Sequence, residues 1–417
     1  MNNFLKISAT VVMLSALALG VFYMSLNLGV REKSPQGSQS MSVAEAIATE
    51  GEKPSASEAS AIPPVAENED SELLLMAAGD NLIHDNVYMQ AKRWGGDRYD
   101  FANVYKNVKP LIEKADGAFI NQETTIAKEL PPSSYPLFNS PVEVGEEILK
   151  TGFNIISFSN NHMLDKGEEG LKAHMEYWES KPQALSMGAW KSAEDMKNPI
   201  LFEKNGITLA FLPITQYTNG LSLKKDSPMR YIRCEEIDVI DEQIKLMEAS
   251  SDFQIVSVHW GIENSIDESQ NQRDYAQMLC SKGVDLIIGH HPHTLQPTEW
   301  IEAPNGNRTL VAYSLGNFVS GMADPQNMLG GILEVKIFKD GKTGETGIKS
   351  AQMHPIVTQY RGSGKSEVTI YPFSEYSEEL CTSHGIRLQY PNFSMKYLQD
   401  IIRKNIPPEL LPKDVEN

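Results

Sequence analysis

The chain is poor in cysteine, with three in 417 residues (Cys234, Cys280 and Cys381) and none paired at C-x-x-C spacing. That excludes a disulfide framework and a thiolate zinc knuckle, so any metal here has to rest on histidine, amide oxygens and carboxylates. Basic residues are also scarce. Thirty-seven Lys and Arg face 55 Asp and Glu, a net charge of -18. The summed field repels phosphate backbones, which excludes nucleic acid as a partner. Long apolar runs are missing except at one place, residues 7–26, twenty consecutive uncharged positions. At about 1.5 Å per helical residue they span roughly 30 Å, a bilayer's hydrocarbon thickness. The expectation is an anchor over residues 1–33, single-pass in the cell membrane, with the rest extracytoplasmic. A cleaved leader with Ala16-Leu17-Ala18 as its small-residue site is the alternative, and the apolar run continuing to Leu28 favours the anchor. No cysteine lies nearby to carry a lipid. Residues 34–72 hold eight acidic residues, one lysine and no aromatic. Such a stretch buries too little apolar area to order itself, so 34–70 is expected to be a disordered acidic linker.

What remains is ordinary globular material, 41% hydrophobic and 22% charged over the whole chain. From residue 73 short apolar runs alternate with amphipathic segments, the pattern of an α/β domain. The runs are 73–78, 118–121, 154–158, 208–213, 254–260, 285–288, 310–314 and 331–338. Helices are expected over 101–114, interrupted by Pro110, and over 271–282. Asn205-Gly206 between two apolar runs predicts a two-residue hairpin, so part of the sheet is antiparallel. Residues 362–417 show one clear helical pattern, at 395–402, and are read as a C-terminal appendage to a domain covering 71–361.

The ends of the apolar runs carry the chemistry. The first runs into Gly79-Asp80, the second into Glu123, the third into Asn160-Asn161-His162, the fifth into His259, and the sixth into Gly289-His290-His291-Pro292-His293. In α/β sheets ligands bind in the crevice outside the carboxyl ends of the strands, so these ends are expected to converge. Four of the nine histidines fall between 259 and 293. Imidazole, amide and carboxylate suit Mn, Zn or Fe. Taken singly, Asp80 reads as a helix cap and His162 or His259 as a hydrogen-bonded core histidine; the conjunction argues for a site. His174 is expected on a helix surface, and His354 and His384 lack neighbouring ligands. Asp165 reads as a loop or cap residue. Tyr313-Ser314-Leu315-Gly316-Asn317 lacks a G-x-S-x-G elbow, so Ser314 is not a nucleophile.

Six blocks in order then resemble one family. They are Ala77-Ala78-Gly79-Asp80, Phe119-Ile120-Asn121-Gln122-Glu123, Ser159-Asn160-Asn161-His162-Met163-Leu164-Asp165-Lys166-Gly167, Val258-His259-Trp260-Gly261-Ile262-Glu263, Leu286-Ile287-Ile288-Gly289-His290-His291-Pro292-His293 and Ala312-Tyr313-Ser314-Leu315-Gly316-Asn317-Phe318. The chain resembles the CapA-type poly-γ-glutamate capsule synthesis proteins, a group similar to calcineurin-like metallophosphoesterases. The resemblance implies a four-layer α-β-β-α sandwich with two divalent metal ions. It implies Asp80 on one metal, Glu123 bridging both, Asn161, His259 and His291 on the second, His293 on the first, and His162 as the acid facing substrate. Glu263 and Asn317 are expected near substrate; Glu263 serves equally as a partner orienting an imidazole, and Asn317 equally as a turn residue. Two departures stand out. Where metallophosphoesterases place a histidine two residues after the first aspartate this chain has Leu82, with His84 nearest, and Glu123 stands in place of an aspartate.

Two function classes follow from the resemblance. One is a metal-dependent, phosphoesterase-like hydrolase acting in poly-γ-glutamate or capsule production. The other is a non-catalytic subunit of a membrane synthesis and export complex, binding poly-γ-glutamate or another anionic polymer.

Overall fold

The computed structural model describes residues 69–415. The expected anchor at 7–26 and nearly all of the linker lie outside the described residues. Among the described residues no helix is long and apolar enough to cross a membrane.

The strands in chain order are β1 (Ser71–Asn81), β2 (Gly117–Asn121), β3 (Ile155–Ser157), β4 (Leu185–Met187), β5 (Ile200–Lys204), β6 (Ile207–Thr215), β7 (Phe253–His259), β8 (Leu286–His290), β9 (Thr298–Glu302), β10 (Arg308–Ala312), β11 (Asn317–Val319), β12 (Leu329–Lys339), β13 (Thr346–Arg361) and β14 (Ser366–Pro372). They form two mixed sheets, one ordered β14-β13-β12-β1-β2-β3-β4 with β11 beside β1, the other β5-β6-β7-β8-β10-β9. All eight expected apolar runs are strands. Each sheet holds a run of parallel strands: β1, β2, β3 and the edge strand β4 in the first, β6, β7, β8 and β10 in the second. Their carboxyl ends therefore share an edge.

Alternation along the strands decides the packing. Leu209 and Phe211 of β6 belong to the large core shared with β1 and β2, whereas Ala210, Leu212 and Ile214 join a second core with Ile240, Ile244 and Met247 of the helix Ile237–Glu248. Side chains on successive strand positions point to opposite faces, so one face of this sheet meets the other sheet and its back meets helices. Phe119 of β2 and Phe211 stack across the interior at 6.4 Å. Burying each such ring contributes about 1.5–3 kcal/mol. On the first sheet Leu171 and Trp178 of the helix Gly167–Glu179 join the large core.

Local details follow the chemistry of the chain. The β5–β6 hairpin turns at Asn205 and Gly206, with φ of 54° and 75°, as a two-residue turn with left-handed central positions requires. Pro110 divides the expected helix into Ala102–Tyr105 and Lys109–Ile112, standing in the first turn of the second piece, where its missing N–H is harmless. Ser269 and Gln272 form a reciprocal capping box at the start of the helix Gln270–Ser281. The boundary expected at 361/362 falls in the β13–β14 turn, and β14 extends the first sheet. Leu398, Ile401 and Ile402 of the helix Met395–Asn405 pack into the same core. His174 is buried, not on the surface; its ring lies edge-on to Phe158 and its Nδ1 accepts the Ile126 N–H. Leu171, His174 and Trp178 lie at i, i+3 and i+7, on one helix face turned to the core.

Candidate metal centre

Two glycines bring the strand ends together. A Cβ on Gly79 would stand 1.9 Å from the Gly316 carbonyl oxygen, and one on Gly289 would stand 2.0 Å from that of Tyr313. Neither position admits a side chain, because the backbone passes too close. The Asp80 N–H donates to Gly316 O at 2.9 Å and the Leu315 N–H to Gly289 O at 3.1 Å. One segment therefore fastens the ends of β1 and β8. In the first sheet Asp80 pairs with Asn121; in the second Thr215 pairs with His259 and His259 with His290.

The polar groups meet there out of water. Asp80, Glu123, Asn161, His162, His259, His291 and His293 are all buried. Asp80 Oδ1 accepts from the Asn121 amide (2.8 Å), and its Oδ2 accepts the His291 backbone N–H (3.3 Å) and lies 3.1 Å from His293 Nδ1. Glu123 Oε1 sits 3.7 Å from His259 Nε2 and 3.7 Å from His293 Nε2, between the two halves of the cluster. His259 Nε2 is also 3.0 Å from Asn161 Oδ1. The His291 ring stands 4.8 Å from that of His259 and 5.9 Å from that of His293. His291 and His293 both hold positive φ, 96° and 58°. Side chains other than glycine and asparagine rarely adopt this backbone, at a cost of about 1–3 kcal/mol each.

The fit to cations rests on what the protein leaves undone. Both Glu123 oxygens, His259 Nδ1 and His291 Nδ1 are buried without a hydrogen-bond partner. A buried carboxylate with no compensating charge costs several kcal/mol. The donor set of carboxylates, imidazoles and one amide oxygen is that of a hard or borderline divalent ion. Two groups present ligand atoms within 4.8 Å of one another: Asp80, Glu123 and His293, all buried, and Glu263, His291 and His293, of which Glu263 is exposed.

The electrostatics agree. Burial pushes Glu123 well above the usual carboxylate range. Burial acts the same way on Asp80, yet the His290 and His293 rings beside it hold it well below its ordinary value. His293 is pushed up to about 9: burial alone would lower it, but Glu123 and Asp80 outweigh burial. Burial and the neighbouring His293 push His291 down to about 3, and burial with His291 holds His259 well below the ordinary histidine value. With protein groups alone, His293 carries the positive charge facing the two carboxylates, while His259 and His291 stay neutral and able to ligate.

The other expected residues fall around this cluster. His162 Nδ1 lies 2.8 Å from Asp165 Oδ2, which also accepts the Phe138 N–H at 2.6 Å, and the Phe138 ring stands edge-on to the imidazole at 4.7 Å. Asp165 is thus a partner of His162, where the sequence suggested only a cap. Asn317 is buried with its amide engaged: Oδ1 lies 3.1 Å from His293 Nδ1, and Nδ2 reaches the carbonyls of His293 and Asn327. It orients His293 from inside the protein. Leu82 turns into the core, and His84 Nδ1 is taken by the Gly321 N–H. Neither replaces the absent histidine. Gln122 joins a buried chain of hydrogen bonds from Tyr105 through Asn81 to Thr124. Sequence reasoning gave no role to Asn121, His290 or Asn219 and read Asp165 only as a loop or cap residue. Asp165, three residues after His162, carried a signal in its spacing; Asn219, whose amide lies 3.4 Å from both Asn161 and His162, carried none.

Comparisons with known proteins agree with the capsule resemblance. Over 297 residues the chain is 28% identical to the PGA biosynthesis protein CapA of Bacillus subtilis (strain 168), covering 70% of this chain and 74% of that protein. It is 28% identical over 270 residues to the capsule biosynthesis protein CapA of Bacillus anthracis, covering 62% of each. Among solved structures, a phosphatase from Mycoplasma pneumoniae is 14% identical, with a TM-score of 0.42 over 69% of this chain and 94% of that one. The calcineurin-like phosphoesterase YfkN from Bacillus subtilis is 15% identical, with a TM-score of 0.41 over 79% of this chain and 99% of that one. The sequence model of the bacterial capsule synthesis protein family PGA_cap matches residues 74–322, more than half of the chain, and the protein belongs to that family.

Proposed function

We propose that this protein is a metal-dependent hydrolase of capsule production, built as a four-layer metallophosphoesterase-like sandwich and acting on a phosphoester, or on an amide of an anionic polymer such as poly-γ-glutamate. It works outside the cytoplasm, held to the membrane by residues 7–26. The observation that carries this reading is the buried Glu123 carboxylate, unpartnered and flanked by His259 and His293.

Asp80, Glu123 and His293 would hold one cation, and Asn161, His259 and His291 with Glu123 would offer ligands to a second. Bound there, divalent ions supply Lewis-acid polarisation of the scissile group and lower the pKa of a coordinated water. The protein's own share is positional. Asn317 and Asp80 fix the Nδ1 side of His293, which leaves Nε2 directed at Glu123. Asp165 accepts the Nδ1–H of His162, so Nε2 is the nitrogen that delivers a proton to the leaving group.

Elemental analysis of the purified chain, followed by assays on a model phosphodiester and on oligo-γ-glutamate with Mn or Zn, tests the reading. The expected result is bound metal, turnover, and loss of turnover in His162→Ala with metal content unchanged. Bound metal without turnover on either substrate would reduce the protein to a polymer-binding subunit of a synthesis and export complex.

A further inference from the structure

The cation at Asp80, Glu123 and His293 is short of donors, since Leu82 is buried and offers none and His84 is engaged with Gly321. The chain brings another donor to the same place from a different strand. Beyond His259 at the end of β7 it turns through Gly261 and Asn264, with φ of 89° and 63°, and Glu263 stands between them. This turn is fastened to the one that carries the histidines. The Trp260 N–H donates to His290 O at 3.0 Å and the Asn264 N–H to Pro292 O at 2.8 Å. Asn327, itself out of water, clamps both turns: its Nδ2 donates to Asn264 Oδ1 at 2.9 Å and to His293 O at 3.0 Å. The place of Glu263 relative to His291 and His293 is therefore set by backbone contacts and a buried amide.

Three observations say what this carboxylate does. A Glu263 oxygen and one ring nitrogen each of His291 and His293 lie within 4.8 Å of one another. Donors about 4 Å apart suit bonds of roughly 2.1 Å to a common ion. Among the described residues neither ring hydrogen-bonds to Glu263, so it does not orient them as Asn317 orients His293. His291 Nδ1 is buried without a partner, and His291 and Glu263 border one cavity of about 410 Å³. An unfinished imidazole and an exposed carboxylate thus face the same space. Glu123 enters the cluster from its buried side, and Glu263 from the side open to solvent.

We propose that Glu263 is a metal ligand, the carboxylate that closes the cluster on its solvent side by joining His291 and His293 on the cations they hold. The assignment rests on the metal-site reading above and adds one ligand to it. With Asp80 and Glu123 it sets three carboxylates against two divalent ions. That donor set is harder than one with an imidazole in its place, and it favours Mn over Zn.

The test is calorimetry of the full, metal-stripped chain with Mn as the probe and Zn in parallel. Wild type should take up two Mn ions. Glu263→Gln should weaken one of them at least tenfold, with the unfolding temperature of the stripped chain unchanged because the side chain is exposed. Glu263→His separates a ligand from a nearby charge, since it returns a donor without the negative charge. It should restore two-ion binding and shift preference from Mn towards Zn severalfold. Two Mn ions bound as tightly by Glu263→Gln as by wild type, or binding by Glu263→His no better than by Glu263→Gln, would overturn the proposal and leave the centre standing. No uptake of Mn or Zn by wild type would remove the metal reading and this ligand with it. Uptake that depends on Glu263 without turnover would keep the ligand and remove the hydrolase.

Discussion

Two buried groups of histidines set the cleft apart from the C-terminal region. His384, just after the helix Glu378–Ser383, is out of water with both ring nitrogens engaged: Nε2 lies 2.9 Å from Thr358 O and Nδ1 accepts the Ile386 N–H at 3.0 Å. Burial pushes it down to about 4. His259 and His291 are equally buried and likewise shifted down, yet each leaves Nδ1 without a partner beside an unpartnered Glu123. His384, which serves packing, has both ring nitrogens satisfied, whereas the cleft holds His259, His291 and His290 with unpartnered ring nitrogens. Burial and lowered basicity are common to both regions; the missing partners set the cleft apart.

The sharpest way to break this contrast is Glu123→Gln. It should reduce metal binding by more than about 100-fold, since ligands outrank the orienting groups whose loss costs 10–100-fold. The metal-free variant should unfold at the same temperature as the parent or higher, because a buried carboxyl group with no hydrogen-bond partner has gone. A fall in both metal content and metal-free stability would show Glu123 to be structural. Asp165→Asn should lower turnover by roughly 100-fold while sparing metal content, because His162 loses the acceptor that fixes its tautomer; steady-state rates beside elemental analysis report this. His384→Ala should do the opposite, costing about 2–3 kcal/mol in urea unfolding by stranding Thr358 O and the Ile386 N–H, with metal binding untouched.

The smallest effect is the pH dependence of stability. His384 has a folded pKa near 4 against an ordinary 6.5, so the unfolded chain binds the extra proton. Its contribution is intact above pH 6.5 and is lost as pH falls from there towards 4, by on the order of 1–3 kcal/mol. Urea midpoints of the metal-free protein at pH 7 and pH 5 should differ less in His384→Asn than in the parent.

Much of this architecture is legible in the chain itself. Eight strands announce themselves as apolar runs, and five of their ends name the cluster residues, because buried parallel strands admit little else until the backbone leaves the sheet. β13 stayed hidden: Thr346 to Gln352 is partly exposed and polar, and His354-Pro355 interrupts the apolar pattern. Strands as short as β4 and β11, three residues each, leave no periodicity to read. In the cleft, residue types suggested the ligands and the three-residue spacing offered Asp165 to His162, but the internal engagement of Asn317 and the burial of His174 are products of tertiary contact.

The glycines at 79 and 289 have a consequence for anyone surveying variants. Adding a methyl group at either would push the 313–316 segment away and widen the gap between Asp80 and the His291–His293 turn, without touching a single donor atom. A growth or export screen would therefore score these two side-chain-free positions as severely as the ligands themselves. Only a direct reading of ion uptake set against chain folding would tell a spacer from a chelator.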